Sequence, residues 1–312
     1  MSSDIQSFAG EQGSKLLRQL AFEITRTLKS SDPDRVHDLR VAIRRFNQML
    51  LVFKPCFLGK EMRKIRRQLK TIMKSAGEVR NCDIALKLLS RAAAGDEVSL
   101  SLTMKNRRKV CERELRGLLR PWIDRKSSSK WRTALGSAIA NMEQALAEER
   151  IESAAKGELP RIARDFFQKG KRATGTKAST EELHQFRISA KKFRYTLELF
   201  ACLYDAPLAR LQEQMKRTQA LLGGINDIAT VQQMILGYKG THGVEQWLEK
   251  RQQKRTEGFC RYWEEQFGAP ETALRWIEHL SNPAAETRTL KKPVKSGGTK
   301  LRSPGRAQWA VA

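Results

Sequence analysis

Apolar and polar positions alternate along this chain with a period near 3.6 over most of its length, the signature of amphipathic helices. Segments with this spacing cover roughly 11–30, 33–54, 60–76, 79–93, 99–120 and 130–154 in the first half. The second half gives roughly 158–172, 180–204, 206–222, 225–236, 243–267 and 270–281. The gaps hold Gly, Pro or Ser clusters such as "KSSDPD", "RKSSSK" and "KRATGTKAST", which punctuate helices. Alternating β-branched runs bounded by turn residues do not recur. The pattern predicts an all-α protein whose short connections make neighbouring helices run antiparallel, as in bundles. From residue 282 the periodicity stops, and 282–312 reads as a disordered tail.

One helical pattern is written twice. "VHDLRVAIRRFNQMLLVF" at 36–53 aligns without gaps to "LHQFRISAKKFRYTLELF" at 183–200, an offset of 147. His37 matches His184, Arg40 matches Arg187, and Arg44 and Arg45 match Lys191 and Lys192. Downstream, "AGEVRNCD" at 76–83 resembles "LGGINDIA" at 222–229. Two matched elements in the same order predict a duplicated unit. The expected organisation is one bundle over 1–155, a second over 156–281 and the tail over 282–312. Each repeat opens on helix-start chemistry: Ser31 or Asp32 before Pro33, and Ser179 or Thr180 before two acids. The histidine then falls in the second turn of its helix.

Charge changes the picture from a plain helical protein to one that needs a partner. The chain of 312 residues carries 59 Lys+Arg against 34 Asp+Glu, a net charge of +25. The stretch from Ser281 onward holds seven Lys/Arg and one Glu, 7 − 1 = +6, which leaves 25 − 6 = +19 on the folded body. An excess of this size calls for a polyanion: nucleic acid, an anionic membrane surface or inorganic polyphosphate. The five cysteines are widely spaced with no CxxC, which argues against disulfides and zinc and fits a reducing cytoplasm. The N-terminal residues lack a signal-peptide pattern, and no run of about 18 apolar residues predicts a membrane span.

Helical rotation of about 100° per residue places His37, Arg40 and Arg44 in one stripe, apart from the apolar face of Val36, Leu39, Ile43, Phe46, Leu50 and Phe53. His184, Arg187, Lys191 and Arg194 share the corresponding stripe of the second copy. In "KEMRKIRRQLKTIMKSAGEVR", Arg63, Arg67, Lys70 and Lys74 lie within about 60° of each other. Only Glu61 precedes Gly77 there, so ion pairs cannot neutralise the row. The second-half counterpart is thinner, with Lys216 matching Lys70 but Glu213 replacing Arg67. A further basic face holds Lys105, Lys109, Arg116 and Arg120, partly offset by Glu112 and Glu114. Arg45 and Lys192 sit about 80° off the histidine line, suited to acids of the opposite bundle. Gly77, Gly223 and Gly224 read as helix ends or kinks, and Asp83 and Asp227 as residues that fix arginines. A flexible linear polyphosphate asks only for spaced cations of this kind.

The H-x-x-R-V/I-x-x-[RK]-[RK]-[FL] helix, present twice and each time followed by a G-x-x-[RN]-[DN] element, resembles the CHAD family (conserved histidine α-helical domain). The resemblance spans roughly 11–280. It implies two four-helix bundles around a basic central groove, binding of inorganic polyphosphate, and association with polyphosphate granules. By position it assigns the groove to His37, Arg40, Arg44, His184, Arg187, Lys191 and the basic residues of the 60–74 helix. Asn81 departs from the usual aspartate. Some relatives carry a triphosphate tunnel with an ExExK strand. The nearest approach here, "ERELR" at 112–116, lies in a helical stretch. The expectation is therefore a non-catalytic protein that needs no cofactor and no metal. The alternatives are a nucleic-acid binder, for which aromatic content of 7% is thin, and a phosphate-handling enzyme.

Overall fold

The computed structural model describes residues 4–92, 97–175, 178–204 and 206–283. Among these residues the chain is helical, with no strand beyond one isolated bridge between Asp4 and Arg150. The first half contributes α1 (Ile5–Lys29), α2 (Pro33–Val52), α3 (Lys60–Ala92), α4 (Glu97–Asp124) and α5 (Ser127–Ala140). A single turn, α6 (Gln144–Ala147), leads to α7 (Ile151–Ala173), α8 (Thr180–Leu199), α9 (Ala206–Ile235), α10 (His242–Phe267) and α11 (Pro270–Ser281). The expected tail lies, from residue 284 on, outside the described residues.

Local signals set the two motif helices. Asp32 caps α2 by accepting the Asp34 N–H at 2.9 Å, and Pro33 takes the first helical position. α8 opens with a reciprocal capping box: Ser179 accepts from the Glu182 N–H at 3.2 Å, and Glu182 accepts from the Ser179 N–H at 2.8 Å. Both histidines are therefore the fifth residue of their helix. Opposite them, Val36, Leu39, Ile43, Phe46 and Leu50 of α2 are buried, as are Phe186, Phe193 and Leu197 of α8.

Three boundaries differ from the sequence expectation. α3 and α9 each run unbroken through the glycines expected to end or kink them. Gly costs a helix only about 1 kcal/mol against Ala, and buried Ala76, Val79 and Cys82 hold α3 in place at that point. The segment expected as one helix over 130–154 instead breaks after Ala140, forms the short α6 and restarts at Ile151. Residue 156 thus falls within α7. There Pro160 is accommodated inside the helix and buried.

One large core runs through both halves. α2 packs on α8 and α3 packs on α9, and residues related by the 147 offset meet at this junction. The rings of Phe53 and Phe200 stand edge to face at 5.8 Å, with Phe8 stacked on Phe200 at 6.4 Å. Gln48 Nε2 donates to Thr196 Oγ1 at 3.0 Å in the buried interior. Arg45 Nε donates to Glu198 across the same seam at 3.0 Å. The far ends of α3 and α9, with the starts of α4 and α10, close over a smaller core of Leu89, Met104, Ile228, Val231, Ile235 and Leu248. The polar faces of α2, α3, α8 and α9 are thereby held in fixed relation.

Candidate functional site

Packing α2 against α8 brings the two basic stripes together. Arg40, Arg44, Arg187 and Lys191 are half-buried. Arg44 stands close enough to the other three to depress the pKa of each. Arg80 of α3 joins them, acting on Arg40 and on His37. Loss of hydration is the main cause throughout, and mutual repulsion adds to it. Burial followed by repulsion from Arg44 brings Arg40 down to about 10. Burial and then Arg187, Arg44 and Arg40 bring Lys191 from 10.5 to about 6. Arg187 is lowered by burial and then Arg44, and its Nε is buried without a partner. Among the described residues, Arg44, Arg80, Arg187 and Lys191 form no ion pair or hydrogen bond.

The matched glycine element has a different use from the one expected. Arg40 Nη1 donates to the Met73 carbonyl at 3.0 Å, and its guanidinium lies on α3 at Gly77. A Cβ on Gly77 would stand 2.9 Å from Arg40 Nη1. On α9 it is Gly224 that receives the Arg255 guanidinium of α10 in the space a side chain would fill. The glycines are mid-helix seats for arginines. Asp83 fixes an arginine as expected, accepting from Arg108 Nε at 2.6 Å. Arg108 continues to Glu112 at 2.7 Å and to the Ser31 carbonyl, tying α4 to the α1–α2 connection. Asp227 behaves otherwise: it lies among Arg80, Arg187, Lys191 and Arg255 without bonding any of them.

Beside the enclosed cluster, α3 presents Arg63, Arg67, Lys70 and Lys74, all exposed. Gly77 lies about 50° from the centre of that row on the same helix, so the open stripe leads to the Arg40 seat. His37 and His184 are exposed. Much of the His37 surface reaches water, yet partial burial, then Arg80 and Arg44, push its pKa down, and both arginines act in the same direction as burial. His184 and Arg187 line a recess between α8, α9 and α10 with Asn226 and Gln252.

Other residues expected at the site have partners within the protein. Arg45 and Arg194 share Glu198, at 3.0 and 2.8 Å, and Arg194 also donates to Gln219 at 3.0 Å. The Arg45 contact joins the two halves, as its helical position suggested. Lys192 instead faces Asp165 of α7 in its own half. Lys216 is exposed and paired with Glu213 at 3.0 Å. Lys105 and Lys109 are exposed on α4. Sequence reasoning missed Arg80, which stood inside the glycine motif, and Arg255, whose only signal was an i,i+4 relation to Arg251 on a helix of balanced charge.

Fold and site together define an all-α protein built round a cationic cluster shared by its two halves. A CHAD domain family model matches residues 11–236, and the chain belongs to that family. The crystal structure of the CHAD domain from the plant Ricinus communis superposes with a TM-score of 0.68 at 16% identity, covering 91% of this chain and 94% of that one. PptA from Streptomyces chartreusis superposes with a TM-score of 0.51 at 14% identity, covering 82% and 98% respectively. Both likenesses concern the fold. No match among curated proteins was found.

Proposed function

We propose that this protein binds inorganic polyphosphate without catalysing its turnover, and that binding directs it to polyphosphate granules in the cytoplasm. One observation carries the reading. Arg40, Arg44, Arg80, Arg187 and Lys191 converge with one nearby carboxylate, and the exposed cations of α3 extend from them. Holding half-buried guanidinium and ammonium groups together costs hydration and repulsion. A chain of phosphates returns both, with charge-assisted hydrogen bonds to each fork. Family membership supports the reading.

The composition of the cluster favours a backbone ligand over a base-bearing one. Among the described residues none of these five cations lies over an aromatic ring, whereas single-stranded nucleic acid is held by stacking as well as charge. Among the described residues no three His, Cys, Asp or Glu side chains gather as divalent-ion ligands, a feature that phosphoryl-transfer sites use. No helix among the described residues is long and apolar enough to cross a membrane.

The test is affinity for long-chain polyphosphate across a salt series, for the wild type and an Arg63/Arg67/Lys70/Lys74 quadruple alanine variant. Each lost phosphate contact lowers the slope of log affinity against log salt by about 0.7, so four lower it by about 3. An unchanged affinity and slope would refute the site.

A further inference from the structure

Most carboxylates near the basic helices hold a cation directly. Asp83 meets Arg108 at 2.6 Å, Asp165 meets Lys169 at 2.8 Å, and Glu198 meets Arg194 at 2.8 Å. Asp227 does not. It stands on α9 between Arg80 of α3, Arg187 and Lys191 of α8, and Arg255 of α10. Among the described residues it forms no hydrogen bond or ion pair. Its placement is nonetheless specific: Arg255 lies on Gly224, three residues earlier in α9, and residues three apart share a helix face. Burial pushes the Asp227 carboxyl up, while the four basic groups around it pull in the opposite direction. A locking salt bridge would show contact. This carboxylate stands back from the cations, offsets part of their field and leaves their donors open.

We propose that Asp227 is a built-in counter-charge that makes the cluster select long polyanions over short ones. The proposal rests on the polyphosphate reading above. A short phosphate oligomer has to sit within the cluster, where it meets Asp227. A carboxylate about 7 Å from a bound phosphate, at an effective dielectric of about 40, weakens binding roughly tenfold. A long chain has many registers and rests most of its phosphates on the exposed row of α3, so the same carboxylate touches a smaller share of its bound states. The effect is a filter against small phosphate esters and oligomers by an internal anion already in place.

The experiment compares wild type, Asp227→Asn, Asp227→Glu and Glu271→Gln for affinity toward tripolyphosphate and long-chain polyphosphate at one ionic strength. Glu271 is exposed at the start of α11 and controls for net charge. Asp227→Asn is expected to tighten tripolyphosphate about tenfold and the long chain less than about threefold, shrinking the preference for length. Asp227→Glu and Glu271→Gln are expected to keep the wild-type preference. Equal tightening of both ligands by Asp227→Asn, a matching change in Glu271→Gln, or weakening of both ligands would overturn the proposal. If Asp227→Asn does not fold, Asp227→Ser, which removes the same charge with a smaller side chain, reads the same ratio with the same expected loss of preference. A wild type that binds neither ligand would instead refute the polyphosphate reading itself.

Discussion

Replacing Lys191 by Met is the sharpest probe of how the cluster is built. The Lys191 amine is half-buried, with Arg187, Arg44 and Arg40 close by. Burial first and those three cations second bring its pKa from 10.5 to about 6. Near pH 7.5 the folded protein therefore holds this amine neutral, while the unfolded chain holds it protonated. Releasing a proton three units below its ordinary pKa costs about 4 kcal/mol, an upper bound because water entry and side-chain relaxation relieve part of it. Even a quarter of that, about 1 kcal/mol, amounts to about 2 °C in Tm for a fold of this size. Lys191→Met keeps the length of the stem and removes the charge, so the variant is expected to melt higher than the wild type. The sign of the pH effect follows from the same shift. The folded pKa lies below the unfolded one, so between about pH 6 and 10.5 the unfolded state binds the extra proton. Wild-type stability rises with pH across that window, and Lys191→Met loses this contribution. Denaturant unfolding of both proteins at several pH values from 6 to about 10 measures it. A variant less stable than wild type, or one with the same pH slope, would show that Lys191 stays protonated in the folded protein, and the account of a repulsive cluster would be wrong.

Other consequences are more direct. Binding should strengthen as pH falls, because His37 and Lys191 both have lowered pKa values and gain protons beside a bound phosphate. Changing His37 and His184 to Gln should remove part of that dependence and adding Lys191→Met the rest, while an unchanged profile in the histidine variant would make both rings structural. Gly170→Ala places a methyl group on the Trp263 ring; overpacking there costs about 1–3 kcal/mol, partly offset by the better helix propensity of Ala. Its Tm should fall by about 1–3 °C with polyphosphate affinity intact, and a Tm above wild type would contradict the packing described.

The legible parts of this protein were those written locally. Apolar spacing and helix caps placed α2 and α8 closely, because Asp32–Pro33 and the Ser179–Glu182 box are contained within a few residues of each start. The duplicated stripe also identified Arg40, Arg44, Arg187 and Lys191, since each lies on its own helix at fixed rotation. What was hidden depends on contacts between helices. Gly77 and Gly224 look like helix breakers when read alone. Only the arrival of Arg40 and Arg255 from other helices shows that each glycine is a seat. Arg80, Arg255 and Asp227 enter the cluster from α3, α10 and α9, a convergence that no single-helix pattern encodes. Arg45, Arg194 and Lys216 looked equivalent to the other cations until the fold brought Glu198 and Glu213 beside them.

The central claim, that these cations serve polyphosphate rather than polyanions at large, is met most directly by a competition titration at physiological salt. Labelled long-chain polyphosphate bound to the protein would be displaced by unlabelled polyphosphate, duplex DNA and RNA, each matched by phosphate concentration, because polyanion affinities have meaning only at fixed ionic strength. Displacement by polyphosphate at far lower concentration than by either nucleic acid is the expected result. Equal displacement by all three would contradict it, leaving a general anion surface with nucleic acid as the leading partner.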